Sequence, residues 1–348
     1  VKAYFERSGD SVFVEEMLPV LRDIIFYYNR GTGYARSGSY HKIYVDEDGL
    51  IVNPAQSTWM DADPNSTGAI TPRHGKTVEI NALWYANLRF MAMADAERSS
   101  EYGAMADKAK ASFNAKFWNS AFATDPEAAP LLDVIEGDAH AGALRPNMIF
   151  AVSHGGDLLA FDRQLAVVES VRKYLMTPYG PRTLAPMDSH YKSFYNTYDP
   201  IAVKDIAYHQ GTVWPWLMGP YVDALFAVRT AQGVGRNTVR DEIRAALTPL
   251  VEHLILNGSL PEVFDAEPRD CGKGYFQQPG GTPSQAWSVG ALVSSVVRYG
   301  LIPDNVNTYP LPVSAVTPAG GEYSRTVITV AGTRIIRIDP ALSPEQDK

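Results

Sequence analysis

The sequence has almost no cysteine. Cys271 is the single thiol in 348 residues, so an intramolecular disulfide and any metal site built on several thiolates are excluded. A chain of this kind suits a reducing, cytoplasmic compartment. Long hydrophobic runs are also missing: no stretch approaches the ~18 apolar residues that would span a bilayer, and Val1-Lys2-Ala3-Tyr4-Phe5-Glu6-Arg7 lacks the basic-then-apolar order of a secretory signal. There is no initiator Met, and the expectation is a processed piece of a longer chain with a domain preceding it. Positive charge is the scarcer sign, with 31 Lys+Arg against 39 Asp+Glu and a net charge of −8. That balance, with a pI near 5.4, argues against nucleic acid or an anionic membrane as partner and favours a neutral or cationic ligand.

What is present is mostly helical periodicity. Phe13, Met17, Val20, Leu21, Ile24, Ile25 and Tyr28 recur at helical spacing and predict a core helix over residues 11–29, stopped by Arg30-Gly31-Thr32-Gly33. Residues 42–52 read as a hairpin turning at Asp46-Glu47-Asp48-Gly49; the acids there lack calcium-loop spacing and read as an ordinary turn. Helices are expected over 78–94 and 102–118 as a pair, over 162–176, from the 208–216 region to about 230, over 239–256, and from 284 to 299. Residues 144–150 open a further apolar segment, and residues 188–208 read as a long aromatic loop. Near the end, residues 325–338 alternate like two strands about Ala331-Gly332. About eight helices separated by long loops suggest helical hairpins in a ring with the loops at one mouth, although periodicity alone also allows an open solenoid.

The loops carry the chemistry. Each has an acid, and most add an aromatic side chain or an Arg, His or Gln donor. In Ser57-Thr58-Trp59-Met60-Asp61-Ala62-Asp63, acids crowd against an indole, as a sugar site requires: apolar ring faces stack on Trp while hydroxyls take charged or amide partners. Asp61 beside Trp59 and Glu262 between Pro261 and Val263 are about 200 residues apart, so ring closure would have to bring them to one site. There they would supply what glycosidic cleavage uses, one acid protonating the leaving oxygen and one activating water or attacking. Taken singly, both also fit solvated turn residues. Glu79 fits a helix-dipole role, His209 and Gln210 fit caps, Trp214 and Trp216 fit core packing, and Arg145 fits a structural salt bridge as well as a hydroxyl donor. A phosphate-binding glycine loop and Ser or Cys nucleophile motifs are absent.

Six strings, taken together, go further: Thr58-Trp59-Met60-Asp61-Ala62, the run from Thr71-Pro72-Arg73-His74-Gly75-Lys76 to Tyr85, Leu144-Arg145-Pro146-Asn147, the run from Thr177 to Leu184, the run from Tyr208 to Trp216, and Ser284-Gln285-Ala286-Trp287-Ser288. In this order they resemble the C-terminal amylo-α-1,6-glucosidase domain of glycogen debranching enzymes. The resemblance implies an all-α fold, an (α/α)6 toroid, with a glucosidase domain over 1–302 and a short β-rich tail over 303–348. It implies hydrolysis, with inversion, of the α-1,6-linked glucose left at a trimmed branch of glycogen. Asp61 is then the general acid and Glu262 the general base, at the roughly 6.5–9.5 Å separation of inverting pairs. Trp59, Glu79, Asn81, Arg145, Arg182, His209, Gln210, Trp214 and Trp216 would line the glucose pocket. The implied partner is a branched α-glucan such as glycogen limit dextrin, and neither metal nor cofactor is called for.

Two departures from the family pattern stand out. Twelve helices make six hairpins, so a chain with eight is expected to lack the first hairpins of the ring. The stretches 266–283 and 63–68 also differ from the family and put acceptor preference in doubt. Two other readings remain: a sibling α-glycosidase or glycoside phosphorylase on the same ring, in which phosphate replaces the base, and a glycan-binding module without activity.

Overall fold

The computed structural model describes residues 1–36, 39–63, 68–270 and 275–301, and beyond them the strands Asn307–Pro310, Ala315–Val316, Glu322–Val330 and Thr333–Pro340. The described residues are mostly helical, with ten α-helices and only small sheets. Two compact units emerge, Val1–Met176 with Arg182–Thr212, and Thr177–Pro181 with Val213–Lys348.

The first unit opens with α1 (Lys2–Ser8) and α2 (Ser11–Arg30). The Asp10 carboxylate accepts from Phe13 N and caps α2, satisfying one of its orphan donors. Val14, Leu21 and Ile25 are its buried face, whereas Val20 and Ile24, expected in the core, are exposed. Apolar residues on both flanks of the helix blur its stripe in the sequence. Past Gly31 the chain forms a strand, Thr32–Arg36, and the expected hairpin follows as Ser39–Val45 and Ile51–Val52, with Tyr44 opposite Val52. α3 (Val78–Ala94) and α4 (Ser99–Lys116) pack as the predicted pair. Arg22 grips Asp95 in the turn between them through two bonds of 2.6 and 2.7 Å, tying α2 to that turn. Tyr85, Leu88, Met91, Tyr102, Phe113 and Phe117 are fully buried here.

The 144–150 segment becomes a 3-10 turn, Pro146–Ile149, running into the short α5 (Phe150–Ser153). α6 (Phe161–Ser170) continues as one π-turn over Val171–Leu175. The expected loop at 188–208 is corrected: Ile201–Tyr208 is a helix, α7, with Pro200 immediately before it. Its apolar residues Ile201, Val203 and Ile206 stay exposed and Ala207 alone is buried, so no periodic core stripe announces it. In the second unit α8 (Met218–Ala231), α9 (Arg236–Asn257) and α10 (Ala286–Arg298) pack on one another. At the end, Glu322–Val330 and Thr333–Pro340 pair antiparallel with Val330 opposite Thr333, the two strands expected about Ala331-Gly332, which themselves lie outside the described residues. Among the described residues no helix is long and apolar enough to cross a membrane.

Candidate active site

In the first unit the site grows from one buried arginine. Arg73 follows Pro72 in a turn and holds a left-handed backbone, φ 46°, uncommon for a residue other than glycine. Asp138 receives its backbone N–H at 2.8 Å. The guanidinium makes a two-bond fork to Glu79, at 2.5 and 2.6 Å, and a second to Asp133, at 2.7 and 3.1 Å. Burial by itself would pull Arg73 down, but Asp133 and Glu79 outweigh it and hold its pKa above the usual range.

The cluster spreads from there. Asn147 donates to Asp133 at 2.8 Å and accepts the Trp59 indole N–H at 2.8 Å, while Arg73 Nη1 donates to Thr58 Oγ1 at 3.1 Å. Arg145, also buried, donates to Gln210 Oε1 at 2.6 Å and to the carbonyls of Thr183 and His209 at 2.9 and 2.6 Å. Burial lowers its pKa to about 10, so it remains a cation at neutral pH. His209 is fully buried at the end of α7, edge-on to Trp59 at 5.4 Å between ring centres. Burial, with Arg145 and Arg73 adding to it, lowers its pKa to about 3 and keeps the imidazole neutral. A small polar pocket opens on this cluster, with Arg73, Asp133, Asp138, Arg145, Asp188 and Gln210 in its wall. Thr71 lines it too, and the buried Thr71 hydroxyl has no hydrogen-bond partner among the described residues.

Trp59, Glu79, Arg145, His209 and Gln210 therefore come together, linked through Arg73, Asp133 and Asn147. Asn81 does not join them. Its carboxamide accepts from Ile51 N and donates to the carbonyls of Ile51 and Thr77, clipping the Ile51–Val52 strand to α3, which differs from the pocket-lining role expected of it. Arg182 reaches the carbonyl of Met176, at 3.3 Å, beyond the π-turn. Asp61 is exposed between buried Met60 and Ala62, with its carbonyl accepting from Gln56 Nε2 at 3.1 Å. Glu79 does more than face the helix dipole, since its carboxylate is held by Arg73.

The second unit holds Glu262. Its carboxylate accepts from Thr282 N at 3.0 Å, Thr282 Oγ1 at 3.3 Å and Gln285 Nε2 at 3.2 Å. Gln285 also caps α10 through Trp287 N, so one amide orders the helix start and aims the carboxylate. Gly281, at φ 69°, lies so close that a Cβ there would collide with Glu262 Oε2. Trp214 and Trp216 are buried; Trp216 stacks on Trp287 at 4.1 Å and Trp214 meets Trp287 edge-on at 6.1 Å. Of the divergent stretches, residues 64–67 and 271–274, Cys271 included, lie outside the described residues; Arg269–Asp270 and Tyr275–Phe276 pair antiparallel.

The Asp46-Glu47-Asp48 turn bears on metal binding. Asp46, Asp48 and Glu136 bring carboxylate oxygens within 4.8 Å of one another, a spacing that suits a cation. That cation is already a side chain: Lys76 Nζ lies 2.9, 2.7 and 2.5 Å from the three, and Lys116 adds contacts of 2.6 Å to Asp48 and Glu136.

Comparison with known proteins adds the decisive observation: the family profile described as amylo-α-1,6-glucosidase matches residues 1–294. The chain belongs to the amylo-α-1,6-glucosidase family. Membership makes it a glycoside-hydrolase-related domain. A glycogen debranching enzyme of Saccharomyces cerevisiae is 26% identical over 224 residues, covering 53% of this chain and 15% of the yeast protein. A solved sialidase structure is similar in fold, with a TM-score of 0.59 and 16% identity over 97% of this chain and 31% of the other. The chain thus spans a small part of the length of either relative. Arg73 and Asn147 lie within the family strings, where nothing in their spacing marks them as the centre of the cluster, and Asp133 lies outside the strings. The signal for Asp133 was chemical: an acid among Leu131, Leu132, Val134 and Ile135 is buried at a cost unless a cation meets it.

Proposed function

We infer that this chain is a glucosidase domain that removes α-1,6-linked glucose from trimmed branch points of glycogen or a related glucan, with Asp61 as general acid, Glu262 as general base and inversion at the anomeric carbon. The observation that carries the reading is the buried cluster of Trp59, Glu79, Arg145, His209 and Gln210 around Arg73, with a polar pocket opening on it, in a chain of this family. Such a pocket offers carboxylates, guanidinium groups and an amide to ring hydroxyls. The Thr71 hydroxyl, buried in its wall, is one group that a sugar hydroxyl would satisfy.

The two carboxylates divide the work by their settings. Asp61 sits exposed on its loop, where a leaving oxygen can reach its carboxyl. Glu262, oriented by three donors, suits the fixed carboxylate that draws a proton from water. The reading includes an (α/α)6 toroid with residues 1–302 as the glucosidase domain and 303–348 as a β tail. It also includes a cytoplasmic setting with a glycogen limit dextrin as the partner.

The experiment is glucose release from phosphorylase-trimmed limit dextrin by the chain and by Asp61→Asn and Glu262→Gln. β-Glucose from the parent, and none from either variant that still binds glucan, is the expected result. Full turnover by either variant overturns the assignment, and dependence of turnover on phosphate points to a phosphorylase instead.

A further inference from the structure

We propose that Arg73, Asp133 and Asn147 form a clamp that positions the Thr58–Asp61 segment, and with it the carboxyl of Asp61, for proton transfer; this rests on the reading of Asp61 as general acid. The segment belongs to no helix or strand, so its geometry comes from side-chain contacts. Three successive residues engage the clamp: Thr58 Oγ1 accepts from Arg73, the Trp59 indole donates to Asn147, and Met60 Sδ takes a contact of 3.6 Å from Asn147 Nδ2.

Each clamp residue is fixed in turn. Asn147 sits in the Pro146–Ile149 turn and donates to Asp133, which Arg73 grips through Nε and Nη2. Arg73 is anchored to the first turn of α3 through Glu79, and its backbone is pinned by Asp138. Loop positions are thereby referred to a helix and a 3-10 turn, which hold position better than loop contacts alone. The planar fork is what allows this, since a lysine ammonium at the same place could not meet two carboxylates and a hydroxyl along fixed directions. Arg73, Asp133 and Asn147 are positioning residues; none is assigned a bond to the reacting atoms.

The test uses the full chain with Thr58→Val, which removes the hydroxyl that accepts from Arg73 and, within the loop, from Met60 N at 3.3 Å, and Thr58→Ser, which keeps it. Thr58→Val is expected to lower kcat on trimmed dextrin by about 10- to 100-fold while KM moves by less than about threefold, as for a misplaced catalytic group. Thr58→Ser restores most of kcat. Hydrogen exchange of the amides of residues 57–63 other than Met60, whose N–H donates to the Thr58 hydroxyl itself, should quicken in Thr58→Val and in Trp59→Phe, which loses the indole donor. Parental kcat, a loss confined to KM, or unchanged exchange in both variants overturns the clamp. If the parent releases no glucose, the reading of Asp61 falls while the exchange measurement still decides the clamp: faster exchange upholds it and unchanged exchange ends it.

Discussion

Arg73 and Lys76 lie three residues apart, and each is a buried cation ringed by carboxylates, yet the two networks are built for different ends. Around Arg73 everything is dry: its side chain is 2% exposed, with Glu79 at 3% and Asp133 at 4%. Around Lys76 only the cation is dry, at 1%, while Asp46, Asp48 and Glu136 are 37%, 16% and 47% exposed. Carboxylates that reach water can rehydrate when their partner leaves, and carboxylates that cannot are left as uncompensated buried charges. The Lys76 group therefore staples the Asp46–Asp48 turn to Glu136, whereas the Arg73 group is the framework on which the pocket is hung.

The largest effect should separate the two networks directly. Arg73→Met is expected to cost about 3–5 kcal/mol, as for one partner removed from a buried ion pair, against about 1–2 kcal/mol for Lys76→Met, whose acids regain water. Denaturant midpoints at pH 7 measure both, and equal losses would erase the distinction.

Next comes pH. The folded pKa of His209, depressed to about 3 from an ordinary 6.5, means that the unfolded chain takes a proton which the folded one refuses. Its contribution is complete above pH 6.5 and declines as pH falls toward 3, by up to about 1.4 kcal/mol per pH unit. Comparing denaturant midpoints at pH 7 and 5 for the parent and His209→Gln sharpens the picture of a dry Arg73 region, because the variant should lose most of that slope. A parent that keeps its stability through that range would mean that water reaches His209. The smallest effect belongs to Lys116, which is 37% exposed: Lys116→Ala should cost less than about 1 kcal/mol and vanish in high salt.

Much of the helical framework was legible in the sequence because burial imposes a periodicity. The helix expected over 78–94 is α3, and that over 239–256 lies within α9. Where that stripe fails, so does the reading. α7 keeps its Ile and Val side chains in water, so its sequence reads as a loop, and on α2 the apolar Val20 and Ile24 read as core although both are exposed.

The candidate site divides along a similar line. The strings from Thr58 to Trp287 marked which loops matter, and the family match over residues 1–294 agrees with them. They did not show that Asn81 spends its carboxamide on Ile51 and Thr77, nor that Arg145 answers to Gln210 and two carbonyls. By itself, then, the sequence determined the family, most helices and the kind of chemistry, since local spacing and motif order are properties of the chain. Only the tertiary structure decided that Arg73, Asp133 and Asn147 join loops up to 74 residues apart into one buried network, because the desolvation that makes each of those polar groups need the others does not exist until the chain has folded.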